Sequence, residues 1–187
     1  LKRFHPENKN TYRKLIRKKL GIPESSTLIL FVGSGFERKG LQFLLESTAY
    51  LKNEDWRLLL IGKGKFEKFM RYAPTNKHPQ IIAKEPDPEI EKYYAAADIF
   101  ILPSIYEPFG NANLEALATG LPVITTQYCG AADIINNTQN GLVVEDPFNP
   151  EEIAEKIRYL FAPSIRETMG KNARTLAEQF PLERNSR

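Results

Sequence analysis

A chain of 187 residues with 42% hydrophobic and 26% charged residues can bury one sizeable core. It has no apolar run near the roughly 20 residues of a membrane span, and no signal-peptide pattern points to export. One cysteine, Cys129, excludes an internal disulfide and fits a reducing compartment; with only His5 and His78 beside it, a His/Cys zinc site is excluded too.

The net charge of +3 belongs to the N-terminal segment: residues 1–20 hold eight Lys/Arg against one Glu, so the rest of the chain is acidic on balance. Tyr12, Leu15, Ile16 and Leu20 recur at helical spacing there. The spacing predicts a helix docked on its own domain with a solvated basic face, with contact to a membrane surface or a partner as the alternative. No nucleic-acid-binding motif accompanies it. Residues 1–25 read as a lead-in, and residues 26–187 as the domain proper.

Strand and helix patterns alternate from there. Residues 27–32 form a β-branched and apolar run ending at Gly33-Ser34-Gly35. A helix is predicted over 41–51, a strand over 57–61 closed by Gly62-Lys63-Gly64, and a helix over 65–73. A weak strand follows at 80–83, then a helix over 88–97 with Pro88 in its first turn. Residues 99–102 are a fourth strand. Asn111 or Asn113 caps the next helix, which stops at Thr119-Gly120. A strand at 122–126, a short helix at 130–135 and a strand at 141–144 come next. Pro150 opens a helix to 161 with Glu151 and Glu152 in its first turn, and a last helix over 164–180 carries a capping box, Ser164 with Glu167. The final residues trail off without a cap, as in a piece of a longer protein. Such alternation with near-continuous apolar strands means an α/β fold, a Rossmann-like doubly wound parallel sheet of about six strands with helices on both faces.

In that fold ligands bind beyond the carboxyl ends of the strands, and the chemically distinctive residues fall there. After the first strand come Gly33, Ser34, Gly35, Arg38, Lys39 and Gly40, a backbone that can approach a ligand closely beside two cations. A diphosphate suits them. Lys84 and Glu85 follow the third strand, and Ser104, Tyr106, Glu107, Pro108, Phe109 and Gly110 follow the fourth. Glu107 and Glu115 stand eight residues apart, across a Pro-Phe-Gly turn. Taken singly each signal is weak. Arg38 occupies the third position of a G-x-G-x-x-G fingerprint, so a dinucleotide loop is not supported. Glu115 alone reads as a first-turn helix carboxylate, Cys129 as a small loop residue, His78 as an exposed side chain, and Asp98 as the end of a helix–strand junction. Together, cations after strand one and paired carboxylates after strand four point to a phosphorylated, hydroxyl-rich ligand.

Phe31-Val-Gly-Ser-Gly-Phe-Glu-Arg-Lys-Gly40, Ala97-Asp-Ile-Phe-Ile-Leu-Pro-Ser104, Glu107-Pro-Phe-Gly-(x)4-Glu115 and Ala118-Thr-Gly-Leu-Pro-Val123 together resemble the C-terminal, donor-binding domain of family 4 retaining glycosyltransferases. Arg38-Lys39 and Cys129-Gly130 look nearest to the lipopolysaccharide core glucosyltransferase I type. The resemblance implies one half of a GT-B fold, with the N-terminal acceptor domain absent. It implies that Arg38 and Lys39 hold the donor diphosphate and that Glu107 and Glu115 hold hydroxyls of the sugar and the ribose. Backbone N–H groups of Phe109, Gly110 and Asn111 would also hold the sugar, Lys84–Glu85 would border the base, and Gly33 would give close passage. The donor would be a nucleoside-diphosphate sugar such as UDP-glucose, used without a metal, since no Asp-x-Asp motif is present. The acceptor would be a cell-envelope glycan or lipid-linked sugar, and the location cytoplasmic, against the inner face of the membrane. A nucleotide-sugar epimerase half and a catalytically silent nucleotide-binding module are the alternatives. Ser34 stands where many members have Arg, Ala83-Lys-Glu-Pro86 lacks their glycine, and Asp133 replaces their Glu.

Overall fold

The computed structural model describes residues 2–52, 55–108 and 110–180. Six strands form one parallel sheet: β1 (Thr27–Val32), β2 (Trp56–Ile61), β3 (Ile81–Lys84), β4 (Ile99–Leu102), β5 (Val123–Thr126) and β6 (Gly141–Val144), in the order β3-β2-β1-β4-β5-β6. Leu28–Phe31 and Ile99–Leu102 are fully buried, as expected for strands covered on both faces. Helices cover the sheet: α1 (Asn8–Leu20), α2 (Leu41–Ser47), α3 (Glu67–Met70), α4 (Glu91–Ala96), α5 (Asn111–Ala118), α6 (Pro150–Tyr159) and α7 (Pro163–Gln179). α2 packs on α6, α1 on α4, and α5 on α7.

Several local expectations give way to other physics. α5 is capped by neither asparagine: Gly110, in the left-handed region at φ 63°, occupies the N-cap without a side-chain bond. Asn111 is the first helical residue, and Asn113 is buried inside the helix. Glu115 therefore lies beyond the first turn. α4 starts at Glu91 and not at Pro88, because the Asp87 side chain accepts the Glu89 N–H at 3.0 Å and holds a turn there. The predicted capping box fails because Pro163 already opens α7, so Ser164 is too late to cap; Ala162 holds that place with no side-chain bond. The helices predicted over 41–51, 65–73 and 130–135 shorten, the first and last continuing or forming as 3₁₀ turns at Thr48–Tyr50 and Gly130–Asp133.

The basic N-terminal helix is not solvated on its whole charged side. Ile16 is buried and Tyr12 and Leu20 pack against the core, whereas Leu15 is 59% exposed. Arg17 is fully buried. Its guanidinium donates to the carbonyls of Ala96 (3.0 Å), Pro23 (2.9 Å) and Ser26 (2.9 Å) and pairs with Asp98. Arg13 pairs with the other Asp98 oxygen at 2.8 Å, and the Leu28 N–H donates to Asp98 at 2.8 Å. Asp98 thus ties α1 to the amino ends of β1 and β4.

Candidate functional site at the carboxyl edge of the sheet

The order of the strands reverses between β1 and β4, the switch point at which open α/β sheets leave a crevice. Two loops meet there. In the loop of residues 33–40, Gly40 sits at φ 69°, and a Cβ on it would stand 2.0 Å from the Pro103 carbonyl oxygen. Only glycine allows that approach. The Ile105 N–H then donates to the Arg38 carbonyl at 2.9 Å, fastening the loop after β1 to the loop after β4.

The fastening brings cation and carboxylate together. The Lys39 stem runs across Gly33, about 3.5 Å from where a Cβ would be, and its ammonium forms an ion pair with Glu107. Arg38 is exposed beside them, with no side-chain hydrogen bond or ion pair among the described residues. Glu107 is held from both sides. Its N–H donates to the Tyr128 carbonyl (3.1 Å), its carbonyl accepts the Gly130 N–H (2.8 Å), and its carboxylate accepts the Gly110 N–H (3.4 Å). Burial pushes the Glu107 carboxyl up, but the Lys39 hydrogen bond and charge, the Gly110 N–H and the charge of Arg38 outweigh it, so the group stays below the usual range and ionised.

Glu115 has a different environment. It accepts the Tyr94 hydroxyl at 2.8 Å. Burial pushes its carboxyl up, and the Tyr94 hydroxyl and Arg3 only partly reverse this, with Glu91 adding to the rise. Ser34 is exposed, but its hydroxyl is engaged, accepting the Lys63 N–H at 2.9 Å. Gly35 sits at φ 73° and supplies the carbonyl for the Lys39 N–H at 3.1 Å. Lys84 ends β3, 3.4 Å from Asp87 and 5.4 Å over the Tyr93 ring; Glu85 is exposed. Tyr106 is 61% exposed, and Pro108 and Asn111 are exposed near it. Phe109 lies outside the described residues. Arg38, Lys39, Glu107, Gly33 and Gly110 are therefore brought together, while Lys84 and Glu115 sit against other partners and Glu85 is exposed.

Sequence reasoning missed Tyr94 and Tyr128, and it took Asn113 for a helix cap. Asn113 is fully buried and donates to Thr125 (3.4 Å) and the Cys129 sulfur (3.2 Å), which fixes the floor beneath Gly110. An asparagine at a position of the helix flanked by apolar residues was the available signal. Chemically, an ionised carboxylate beside a lysine and an exposed arginine can accept hydroxyl hydrogens while its neighbours meet an anion.

The sequence model of the family described as "Glycosyl transferases group 1" matches residues 12–176. The chain is 33% identical over 177 residues to the lipopolysaccharide glucosyltransferase WaaG of Escherichia coli K12, covering 91% of this chain and 47% of WaaG. The crystal structure of WaaG superposes with a TM-score of 0.83 at 31% identity, covering 96% of this chain and 51% of that one. The C-terminal domain of a glycosyl transferase group 1 family protein (LpcC) from Francisella tularensis superposes with a TM-score of 0.80 at 26% identity, covering 96% of each chain. The chain spans about half the length of the curated relatives it matches.

Proposed function

The chain belongs to the group 1 glycosyl transferases, and from that premise we propose that it is the donor-holding half of an enzyme that moves a hexosyl group from a nucleoside-diphosphate sugar, such as UDP-glucose, to a cell-envelope glycan or lipid-linked sugar. One observation carries the reading: Lys39 after β1 meets Glu107 after β4 across the switch point, with Arg38 beside them and without an ion pair among the described residues.

In this reading the bond from the anomeric carbon to the diphosphate oxygen breaks and a bond to the acceptor oxygen forms. The acceptor proton passes to the departing diphosphate. Negative charge therefore grows on the leaving group, where Arg38 and Lys39 stabilise it; the Gly40–Pro103 contact holds the backbone that carries them. No metal is required for that step. Glu107, kept ionised by Lys39, accepts hydrogen bonds from sugar hydroxyls and acts in positioning, not as a nucleophile. N–H groups of Phe109, Gly110 and Asn111 assist it. Glu115 takes the ribose hydroxyls in place of the Tyr94 hydroxyl, and Lys84–Glu85 border the base. The enzyme is read as cytoplasmic and peripheral to the membrane, in keeping with the basic face of α1; no helix among the described residues is long and apolar enough to cross a membrane.

Calorimetry of this chain with UDP, GDP and ADP tests the reading. One nucleotide should bind, and Lys39→Ala or Arg38→Ala should weaken it about tenfold or more, the scale of a hydrogen bond to a charged group. No sugar transfer is expected from this chain without an acceptor-binding half. Failure of all three nucleotides to bind, or unchanged affinity in both variants, would sink the assignment.

A further inference from the structure

At the amino-terminal edge of the sheet, away from Lys39 and Glu107, a cavity of about 490 Å³ opens between α1, the lead-in to β4, the turn at Gly120 and α7. Its walls are built by close packing: a Cβ on Gly170 would stand 2.5 Å from the Gly120 carbonyl oxygen, so α7 lies directly on that turn. Prolines supply much of the apolar lining, and Lys9, Arg166, Lys171 and Arg174 line the cavity together with Asp98 and Glu167.

The charges do not balance. Asp98 is already taken by Arg13, Arg17 and the Leu28 N–H. Arg174 pairs with Glu178 at 2.8 Å and donates to the Ala118 carbonyl at 2.7 Å. Arg166 donates to the neutral carbonyls of Leu160 (2.7 Å) and Phe161 (2.8 Å) and has no ion pair among the described residues; Asp98 and Glu167 act on its charge only from a distance. Among the described residues Lys9 and Lys171 have no ion pair. Glu167 is the one lining carboxylate left against Lys9, Arg166 and Lys171, which leaves an excess of two positive charges.

We infer that this cavity is an anion site, taking a small molecule that carries a phosphate monoester on a compact apolar body. A phosphate monoester brings about −1.5 to −2 charges at neutral pH, which matches the excess. The cavity volume falls within the roughly 300–1,000 Å³ of small-molecule pockets and exceeds what a bare phosphate fills. The state of Lys9 agrees with this: burial lowers its ammonium pKa, Asp98 pulls it back, and Arg13 and Arg166 push it down again, a strain that a bound anion relieves.

Phenyl phosphate, inorganic phosphate and benzoate, titrated into this chain at fixed ionic strength, test the inference. Phenyl phosphate should bind tightest, because only it combines the dianion with the apolar body. Lys9→Gln and Lys171→Gln should each weaken it about tenfold; Lys171 is exposed, so its replacement leaves the fold intact. Lys39→Ala should leave binding unchanged. Without ligand, Lys9→Gln should melt at the same temperature or higher, since it removes an unpaired charge. Absence of phenyl phosphate binding, its loss in Lys39→Ala, its persistence in both lysine variants, or a lower unliganded melting temperature for Lys9→Gln would each overturn the site.

Discussion

Glu107 and Glu115 lie eight residues apart, and the fold drives their protonation in opposite directions. The first is held below the usual carboxyl range by Lys39 against the push of burial; the second is raised by burial that Tyr94 and Arg3 only partly offset. As pH falls, Glu115 should take its proton before Glu107, which carbon-13 NMR of the glutamate carboxyl groups can resolve. The consequences for stability have opposite signs. Glu107 contributes stability above its unfolded pKa and loses it as pH falls through its folded value. Glu115 costs stability at neutral pH, and that cost is relieved as pH falls through its raised folded value. Glu107→Gln should therefore lower the melting temperature at pH 7, by a margin that vanishes in acid. Glu115→Gln should keep or raise it, because glutamine still accepts the Tyr94 hydroxyl. Parallel pH profiles for the two variants would contradict this account. That both carboxylates stand near the edge of one sheet was legible in the strand, turn and helix order around them. Their partners were not: Lys39 lies 68 residues before Glu107 and Tyr94 21 residues before Glu115, and nothing local links them.

At the scale of elements, strands were read more accurately than helix ends. An unbroken apolar run such as Leu28–Phe31 leaves little choice, since only burial on both faces accounts for it. Caps depend on backbone angles that a neighbouring contact can impose: Gly110 displaces both asparagines because the turn under Glu107 needs a left-handed residue there. α1 shows a deeper limit. Arg13 and Arg17 lie on a helix with many basic residues and read as solvent-facing, yet they fasten that helix to Asp98. Arg17→Met should remove the guanidinium donors from four backbone carbonyls, those of Ala96, Pro23, Glu24 and Ser26, and from one oxygen of Asp98. Breaking a buried pair in this way costs about 3–5 kcal/mol, and a domain of this size loses roughly 2–4 °C per kcal/mol. A fall in melting temperature on the order of 10 °C is expected by calorimetry, and Arg17→Lys should not restore it, because one ammonium cannot reach all the acceptors that the guanidinium serves. A fall of a degree or less would show the network to be ornamental.

Across the whole molecule, Phe4, Ile16 and Ile22 from the N-terminal segment belong to the same buried cluster as the six strands. The chain should therefore melt in one cooperative transition, with equal calorimetric and van't Hoff enthalpies, and an early separate loss of α1 would disprove that unity. The parallel architecture was legible from the alternation of strands and helices together with right-handed crossovers. The arrangement of the sheet also bears on how the protein assembles. β1, β2 and β3 follow one another and can pair as soon as they exist, but the join between β1 and β4 brings together segments as far apart as Leu28 and Asp98, 70 residues along the chain. Closing so long a loop is slow, and it must wait for β4 to leave the ribosome. The seam that closes late is the one that creates the crevice holding Lys39 and Glu107. A nascent or partly folded chain can thus have a formed β1–β2–β3 half and still lack any binding site, so the chain gains its chemistry only when it has nearly finished folding.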